Sequence, residues 1–265
     1  MATDRAVLVH YHIFKNAGTS VRSVLKESFG SAWGSIEGAH AHDTQTVEDL
    51  RRFLRDNPHV KAVSSHLVRP PLPWQGCRAI AFLRHPIDRA HSVFQFVRRV
   101  PGQPNAEIAR ARGFAGYVRW ALDGGRGGVV LRNYQVVHLS QATWRNGGVL
   151  DAVPTEADLH EACSLIEEWG VHGIVDRFEA SSGLFQCAYR QAFPVLRFAN
   201  VWHNRTTSRY LPMEDKLTSI RRELGEELYA ELERSNALDL RLYQFAKERF
   251  AQLCAVHGVG GELRR

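Results

Sequence analysis

Near its start the chain reads Phe14-Lys15-Asn16-Ala17-Gly18-Thr19-Ser20. This stretch follows an apolar run, residues 6–13, that predicts a buried strand, and it precedes residues 21–26, which predict a helix. Backbone N–H groups at the N-terminus of a helix have no intrahelical acceptor, and the helix dipole favours an anion beside them. Lys15 adds a mobile positive charge. The stretch therefore predicts a loop that binds phosphate or a similar anion.

Strand patterns and helix patterns alternate along the whole chain. Strands are predicted at residues 6–13, 60–65, 78–83, 171–175 and 195–198. Helices are predicted at residues 21–29, 46–57, 87–100, 106–122, 155–169, 181–191, 213–235 and 238–254. A capping box at Thr46 opens the second helix, and Pro86 suits the first turn of the third. The alternation predicts an α/β fold with a central, mostly parallel sheet flanked by helices, a helical C-terminus and one domain over residues 1–265.

Three polar groups follow three successive predicted strands. The loop with Lys15 follows the first strand, His66 the second and Arg84 the third. In folds of this kind, ligands bind at the carboxyl ends of the parallel strands. We therefore expect these groups to lie at the functional edge of the sheet, where His66, with an ordinary pKa near 6.5, suits proton acceptance at neutral pH.

The composition favours a basic protein that handles anionic ligands. The chain has 34 Lys and Arg against 28 Asp and Glu, a net charge of +6, but this charge is too diffuse to indicate nucleic acid. The four cysteines form no CxxC pair, so neither a zinc site nor a disulfide framework is indicated, and buried free thiols are expected. With no secretion signal and no apolar run of about 20 residues, we expect no membrane span and a cytoplasmic location.

The loop differs from the motif that binds magnesium nucleotides. That motif reads Gly-x-x-x-x-Gly-Lys-Ser/Thr, whereas here the lysine precedes the glycine and the loop is shorter. The third predicted strand ends in Arg84-His85, which would repel a metal ion, rather than in an aspartate. The sequence thus favours a phosphorylated nucleotide bound without magnesium.

Two motifs in this order resemble those of the sulfotransferases that use 3′-phosphoadenosine 5′-phosphosulfate (PAPS). The resemblance is narrowest to the family of heparan sulfate 2-O-sulfotransferase and related carbohydrate sulfotransferases. Its first motif, His-x-Pro-Lys-x-x-Gly-Thr-Ser, matches His12 to Ser20, with Phe14 in place of proline. Its second, Arg-Asp-Pro-x-x-Arg-x-x-Ser, matches Arg84 to Ser92, with His85 in place of aspartate. Weaker matches follow at residues 133–140, 176–179 and 236–243.

The resemblance implies a P-loop-like three-layer fold and sulfuryl transfer from PAPS to an acceptor hydroxyl. The acceptor would be a carbohydrate or glycoconjugate, the product 3′,5′-adenosine diphosphate (PAP), and no metal would be required. It implies that the phosphosulfate lies on Lys15, Asn16, Ala17, Gly18, Thr19 and Ser20, with Lys15 nearest the bond that breaks. Arg84 and Ser92 would hold the 3′-phosphate, Arg205 would belong to a loop closing over it, and a histidine corresponding to His66 would be the base.

Several alternatives stay open at this point. Other candidates for the base are Glu37, His40, His42 and Asp43, and His66 could instead cap its strand by hydrogen bonding. His12 is expected to pack under the loop, and Arg89 to form a surface or inter-helix ion pair. The alternative functions are a kinase-like phosphotransferase and a protein that binds nucleotides or polyanions without turnover. The sequence does not indicate the acceptor, the residues that stack on adenine or the oligomeric state.

Overall fold

The structure is a computed structural model that describes residues 5–40, 43–198 and 211–259. Its strands are β1 (Val7–Tyr11), β2 (Trp33–Ser35), β3 (Ala62–Ser65), β4 (Cys77–Ile80), β5 (Phe82–Leu83) and β6 (Gly173–Ile174). Its α-helices are α1 (Gly18–Phe29), α2 (Val47–Asp56), α3 (Pro86–Arg99), α4 (Ala106–Leu122), α5 (Tyr134–Leu139), α6 (Ala142–Arg145), α7 (Glu156–Trp169), α8 (Phe178–Tyr189), α9 (Met213–Leu224), α10 (Glu226–Arg234) and α11 (Ala237–His257).

The described residues divide into two compact units. The first unit takes its residues from Met1–Leu83, Glu161–Asn204 and Phe245–Arg265. The second takes them from Arg84–His160 and Arg205–Gln244. The strands all belong to the first unit, whereas the second unit is built from helices and connecting segments.

A four-stranded parallel sheet forms the centre of the first unit, in the order β2-β3-β1-β4. Strand β1 lies between two partners, and Val9 pairs with Val63 on one side and with Ala79 on the other. Every residue of β1 and β3 is buried, as expected for strands of a parallel sheet that is covered on both faces. The predicted α/β fold, a mostly parallel sheet flanked by helices with a helical C-terminal part, is confirmed.

The third predicted strand, residues 78–83, is two strands. Strand β4 ends at Ile80, and β5 pairs in parallel with β6 in a separate two-stranded sheet. The close approach depends on Gly173, because a Cβ atom there would lie 2.6 Å from the ring of Phe82. The backbone N–H of Gly173 also donates to the carbonyl of Ala81 at 2.9 Å. The chain therefore changes sheets at Ala81, which the continuous apolar pattern does not reveal.

Other boundaries follow the local signals to different degrees. The capping box at Thr46 is confirmed, since Asp49 N–H donates to Thr46 Oγ1 at 3.1 Å and Thr46 N–H to Asp49 Oδ2 at 2.9 Å. The single helix predicted over 213–235 is wrong, because Gly225, with φ of 78°, separates α9 from α10. The strand predicted at 195–198 is also wrong, since a turn bond joins Leu196 N–H to the carbonyl of Phe193. Strand β2 is a short element that the sequence did not predict.

The cysteines and the helices add two findings. All four cysteines are free, as expected, but of these Cys77 alone is buried. Burial raises the pKa of the Cys77 thiol to about 11, so it stays protonated near neutral pH. Within the described ranges, no helix combines the length and the apolar character that crossing a membrane requires.

A buried histidine of the first unit makes stability depend on pH. His172 is fully buried, and its Nε2–H donates to the carbonyl of Ala246 at 2.8 Å. Burial lowers the pKa of His172 to about 4. In the unfolded chain the same ring takes up a proton near pH 6.5, so the folded chain binds fewer protons between these values and loses stability as the pH falls below 6.5.

We expect His172→Phe to remove about 2 kcal/mol of the loss in unfolding free energy between pH 7 and pH 5. His10, whose pKa burial lowers to about 3, contributes a similar loss in both proteins and so cancels in the comparison. Urea denaturation of both proteins at the two pH values measures the effect. An equal loss in wild type and variant would show that His172 is not neutral in the folded chain.

Candidate functional site

The loop between β1 and α1 has an unusual backbone. Its first turn is closed by Ile13 N–H donating to the Tyr11 carbonyl at 3.0 Å and by Asn16 N–H donating to the Ile13 carbonyl at 3.1 Å. Lys15 and Ala17 have φ values of 67° and 62°, in the left-handed region that residues with a side chain rarely adopt. Such conformations turn backbone N–H groups towards a concave, anion-binding surface and persist where the surroundings enforce them.

The side chains of the loop differ in their exposure and in their hydrogen bonds. Thr19 is exposed and Lys15 half-buried. Asn16 is 2% exposed, and its Nδ2–H donates to the carbonyl of Phe82 in β5 at 2.7 Å. The amide of Asn16 therefore anchors the loop to the neighbouring chain, while the side chains of Lys15 and Thr19 remain accessible. Binding of an anion by these residues stays a prediction.

His12 lies directly under the loop, as expected. The residue is 7% exposed, and a Cβ atom added to Gly18 would lie 1.5 Å from its Nε2 atom. The imidazole occupies the space where a side chain at position 18 would stand. Gly18 is therefore required for space, in contrast to Lys15 and Ala17, whose backbones are the unusual ones.

His66 lies beside this loop. Strands β1 and β3 are paired up to Tyr11 and Ser65, so His12 and His66 follow at neighbouring positions. Their ring centroids are 3.5 Å apart, and the ring of Phe14 stands edge-on to His66 at 6.4 Å. The loop and His66 therefore lie at the same edge of the sheet, whereas the presence of Arg84 at that edge stays a prediction.

The hydrogen bond of His66 fixes its tautomer. The Nδ1 atom lies 2.9 Å from the carbonyl oxygen of His12, and since a carbonyl only accepts, Nδ1 carries the proton. In the neutral ring the lone pair is then on Nε2. Burial lowers the pKa of His66, and Arg22 and Arg69 lower it further, whereas the His12 hydrogen bond and Glu37 raise it. His66 is thus neutral at pH 7 and can accept a proton at Nε2.

The other candidates for the base are placed differently. Glu37 is 56% exposed and pairs with Arg22 at 3.7 Å. Asp43 accepts the N–H of His40 at 2.8 Å and closes a turn. His42 lies outside the described residues. Among the described candidates, His66 is the one whose ring contacts the loop through His12 and Phe14.

Arg22 is a residue of this site that the sequence analysis missed. It follows Gly18 by one turn of α1, and its guanidinium lies 5.2 Å above the ring of Trp33. With 45% of its side chain exposed, it places a positive charge near His66 and facing solvent. The signal in the sequence that could have identified Arg22 is its position four residues after Gly18, one helical turn further along α1.

Arg84 of the second unit is fixed through both its side chain and its backbone. Its Nε–H donates to Asp88 Oδ2 at 2.6 Å, and 18% of its side chain is exposed. Burial alone would raise the pKa of Asp88, but the charge and hydrogen bond of Arg84, together with Lys216 and His85, lower it, so the pair is ionic. The Gln135 amide accepts the N–H of Arg84 and donates to its carbonyl, both at 2.9 Å. Ser92 is partly exposed one turn after Asp88.

A buried carboxylate supports this arrangement. Asp239 accepts the backbone N–H groups of Gln135 and Val136, at 3.0 and 2.8 Å, and thereby caps the N-terminus of α5. Beside it, Asn133 N–H donates to Asn236 Oδ1 and Asp239 N–H to Asn133 Oδ1, each at 3.0 Å. The segments with weaker family resemblance, 133–140 and 236–243, therefore hold the backbone of Arg84. This pairing spans about a hundred residues, which no local pattern reveals.

Arg89 is a buried residue of the second unit. The surface alternative for Arg89 is wrong, because its side chain is fully buried, donates to the carbonyl of Val130 and lies 5.1 Å from the Tyr134 ring centre. Burial lowers the pKa of Arg89, and buried Asp239 raises it. Arg205, predicted to close over the 3′-phosphate, lies outside the described residues. Within the part of the chain that is described, no group of three or more His, Cys, Asp or Glu side chains is arranged to hold a metal ion.

Comparisons with known proteins give three findings. No family model matches the chain. An uncharacterized protein of Archaeoglobus fulgidus is 27% identical over 249 residues, which cover 91% of this chain and 96% of that protein. Among solved structures, mouse sulfotransferase SULT7A1 complexed with PAP is 16% identical, with 92% of this chain and 90% of that chain covered and a TM-score of 0.33. Similarity at this level does not identify a ligand.

We expect Asn16→Ala to lower the free energy of unfolding by about 1–3 kcal/mol, because it leaves the buried carbonyl of Phe82 without this donor. The exposed neighbour Thr19 offers a matched control, and Thr19→Ala should change stability by no more than about 0.5 kcal/mol. Urea denaturation measures both. If the two variants lose the same small amount, Asn16 is not the anchor of the loop.

Proposed function

We propose that this protein is a sulfotransferase that moves the sulfuryl group of PAPS to an acceptor hydroxyl. The observation that supports the proposal best is the position of His66, whose ring lies against His12 beneath an anion-binding loop and carries its lone pair on Nε2. Transfer of a sulfuryl group to a hydroxyl needs two elements: a loop that holds a phosphate-like group, and a neutral base beside that loop.

The residues divide into roles on this proposal. Lys15 and the loop through Ser20 hold the phosphosulfate, with Asn16 acting mainly as the anchor described above. Arg84 and Ser92 keep the role of binding the 3′-phosphate that the resemblance gives them, as does Arg205. The support for Arg84 is its fixed backbone and the hydrogen bond of its Nε–H to Asp88, which together reduce the conformational entropy lost when the guanidinium is ordered on a phosphate.

The reaction is an in-line displacement at sulfur. A bond forms between the acceptor oxygen and sulfur while the bond from sulfur to the 5′-phosphate oxygen breaks, and the hydroxyl proton passes to Nε2 of His66. Such transfers have loose transition states, so positioning and charge stabilisation supply most of the catalysis. Lys15 and the loop N–H groups face the charge that develops on the leaving phosphate oxygen. The base contributes about 10²–10⁴-fold.

We infer a carbohydrate or glycoconjugate as the acceptor class. The support is the family resemblance, the net charge of +6 and the exposed guanidinium of Arg22 near His66. An anionic sugar chain would meet complementary charge beside the base. Arg22 also pairs with Glu37 at 3.7 Å, an exposed contact that an incoming carboxylate or sulfate can replace at small cost.

Ligand-induced stabilisation tests the donor. We expect PAP to raise the melting temperature, by an amount equivalent to about 2.7 kcal/mol at a hundred times its Kd, and ATP with Mg²⁺ to have little effect. Lys15→Ala should abolish most of the response to PAP, whereas Lys26→Ala, at the exposed far end of the same helix, should retain it. Stabilisation by ATP with Mg²⁺ alone would instead support a kinase-like phosphotransferase.

The pH profile tests the base. We expect transfer of labelled sulfuryl from PAPS to desulfated heparin to rise with pH to a plateau, with a midpoint below 6.5, because the pKa of His66 is lowered and its neutral form is active. His66→Ala should reduce turnover about 10²–10⁴-fold while stabilisation by PAP persists. The exposed His59 provides a control for replacement of a histidine. Unchanged turnover in His66→Ala would exclude His66 as the base, and PAP binding without turnover in the wild type would indicate a binding protein.

A further inference from the structure

Three imidazole rings form a stack that leads from the sheet to His66. The centroids of His10 and His12 are 5.1 Å apart with planes inclined by 16°, and those of His12 and His66 are 3.5 Å apart with planes inclined by 29°. At its inner end, His10 Nδ1 lies 2.7 Å from Ser64 Oγ, and the β1–β3 pairing sets His10 opposite Ser64. His10 and His12 are buried, so the stack is held by both strands.

Burial, assisted by two nearby arginines, keeps the outer ring of the stack neutral. The groups that act on His66 are Arg22 on α1, Arg69 after β3 and the single carboxylate of Glu37. His10, at the inner end, is also neutral, because burial lowers its pKa to about 3. Stacked imidazolium ions would repel one another at these distances. His10 and His66, at the two ends of the stack, are therefore both neutral at neutral pH.

His12 is in contact on two sides. On one side, its ring fills the space of the missing side chain of Gly18, where a Cβ atom would lie 1.5 Å from Nε2 and 1.6 Å from Cδ2. On the other side, the ring lies against His66, and the His12 carbonyl accepts the proton of His66 Nδ1. A displacement of the loop at Gly18 must move this ring, and a movement of the ring reaches His66.

We propose that His12 is a positioning residue that couples the anion-binding loop at Gly18 to the orientation and tautomer of His66. The functional part of this inference rests on the proposed sulfuryl transfer. The ring holds His66 so that Nδ1 meets the carbonyl and Nε2 is presented as the acceptor. Occupation of the loop is thereby transmitted to the base through packed atoms.

Histidine NMR with ¹⁵N labelling gives a readout that does not require activity. We expect His66 of the wild type to be the Nδ1–H tautomer, to titrate below pH 6.5 and to shift when PAP binds. In His12→Ala, and in His12→Asn as a second variant should the first fail to fold, Nε2–H should become populated and the response to PAP should be lost. His59→Ala serves as the control and should leave the His66 signals unchanged. Identical His66 signals in wild type and both His12 variants would overturn the proposal.

A double-mutant cycle tests the contact with Gly18. Gly18→Ala should be destabilising because its methyl group collides with the His12 ring, and His12→Ala removes that ring. In the double variant the methyl group enters the vacated space, so the two effects should be strongly non-additive. Additive effects would show that His12 and Gly18 do not interact.

Kinetics separate this inference from the proposed function. With desulfated heparin as acceptor, His12→Ala should lower kcat about tenfold and leave KM for PAPS within about twofold, since it acts through His66 rather than on the donor. An unchanged kcat would remove the functional role of His12. A further outcome is that the wild type transfers no sulfuryl group while the NMR experiment and the double-mutant cycle both give the expected results. The proposed function is then wrong, and the coupling of Gly18 to His66 through His12 is still supported.

Discussion

Four backbone pairs between β1 and β3, from Leu8 with Ala62 to Tyr11 with Ser65, set the geometry on which the candidate site depends. Because side chains alternate along a strand, a slip of one residue would turn every side chain to the opposite face. The observed register brings His12 beside His66 and His10 opposite Ser64. The backbone hydrogen bonds that pair β1 with β3 therefore place the polar groups at this edge as well as the buried apolar side chains of the two strands.

Each unit fixes an important backbone segment with a buried carboxamide. In the first unit the Asn16 amide donates to the Phe82 carbonyl. In the second unit the Gln135 amide accepts the backbone N–H of Arg84 and donates to its carbonyl. Buried amides of this kind are stabilising when satisfied and costly when a partner is removed. Asp239 extends the arrangement by holding Gln135 itself.

Local chemistry made part of this structure predictable. The apolar run before Lys15, the Thr46 capping box and Pro86 specify nearby backbone, and the structure has the strand and the two helices where they were expected. The helix expected over 106–122 is interrupted at Gly113, whose φ of 60° and ψ of −173° are not helical. The change of sheets at Ala81 and the fixing of Arg84 depend on partners far along the chain, Gly173 and Gln135. The stack of His10, His12 and His66 needs the strand register, which no single segment encodes.

The left-handed backbones of Lys15 and Ala17 have a consequence for how the chain can change. A residue with a side chain costs about 1–2 kcal/mol in this conformation, and glycine adopts it freely. Laboratory selection for heat resistance alone would therefore favour glycine at position 17. Glycine at this position would also loosen the loop, because glycine adopts conformations outside the left-handed region as readily as those within it. Because the chain has alanine there, the contacts around the loop must offset this strain and hold its backbone in one shape.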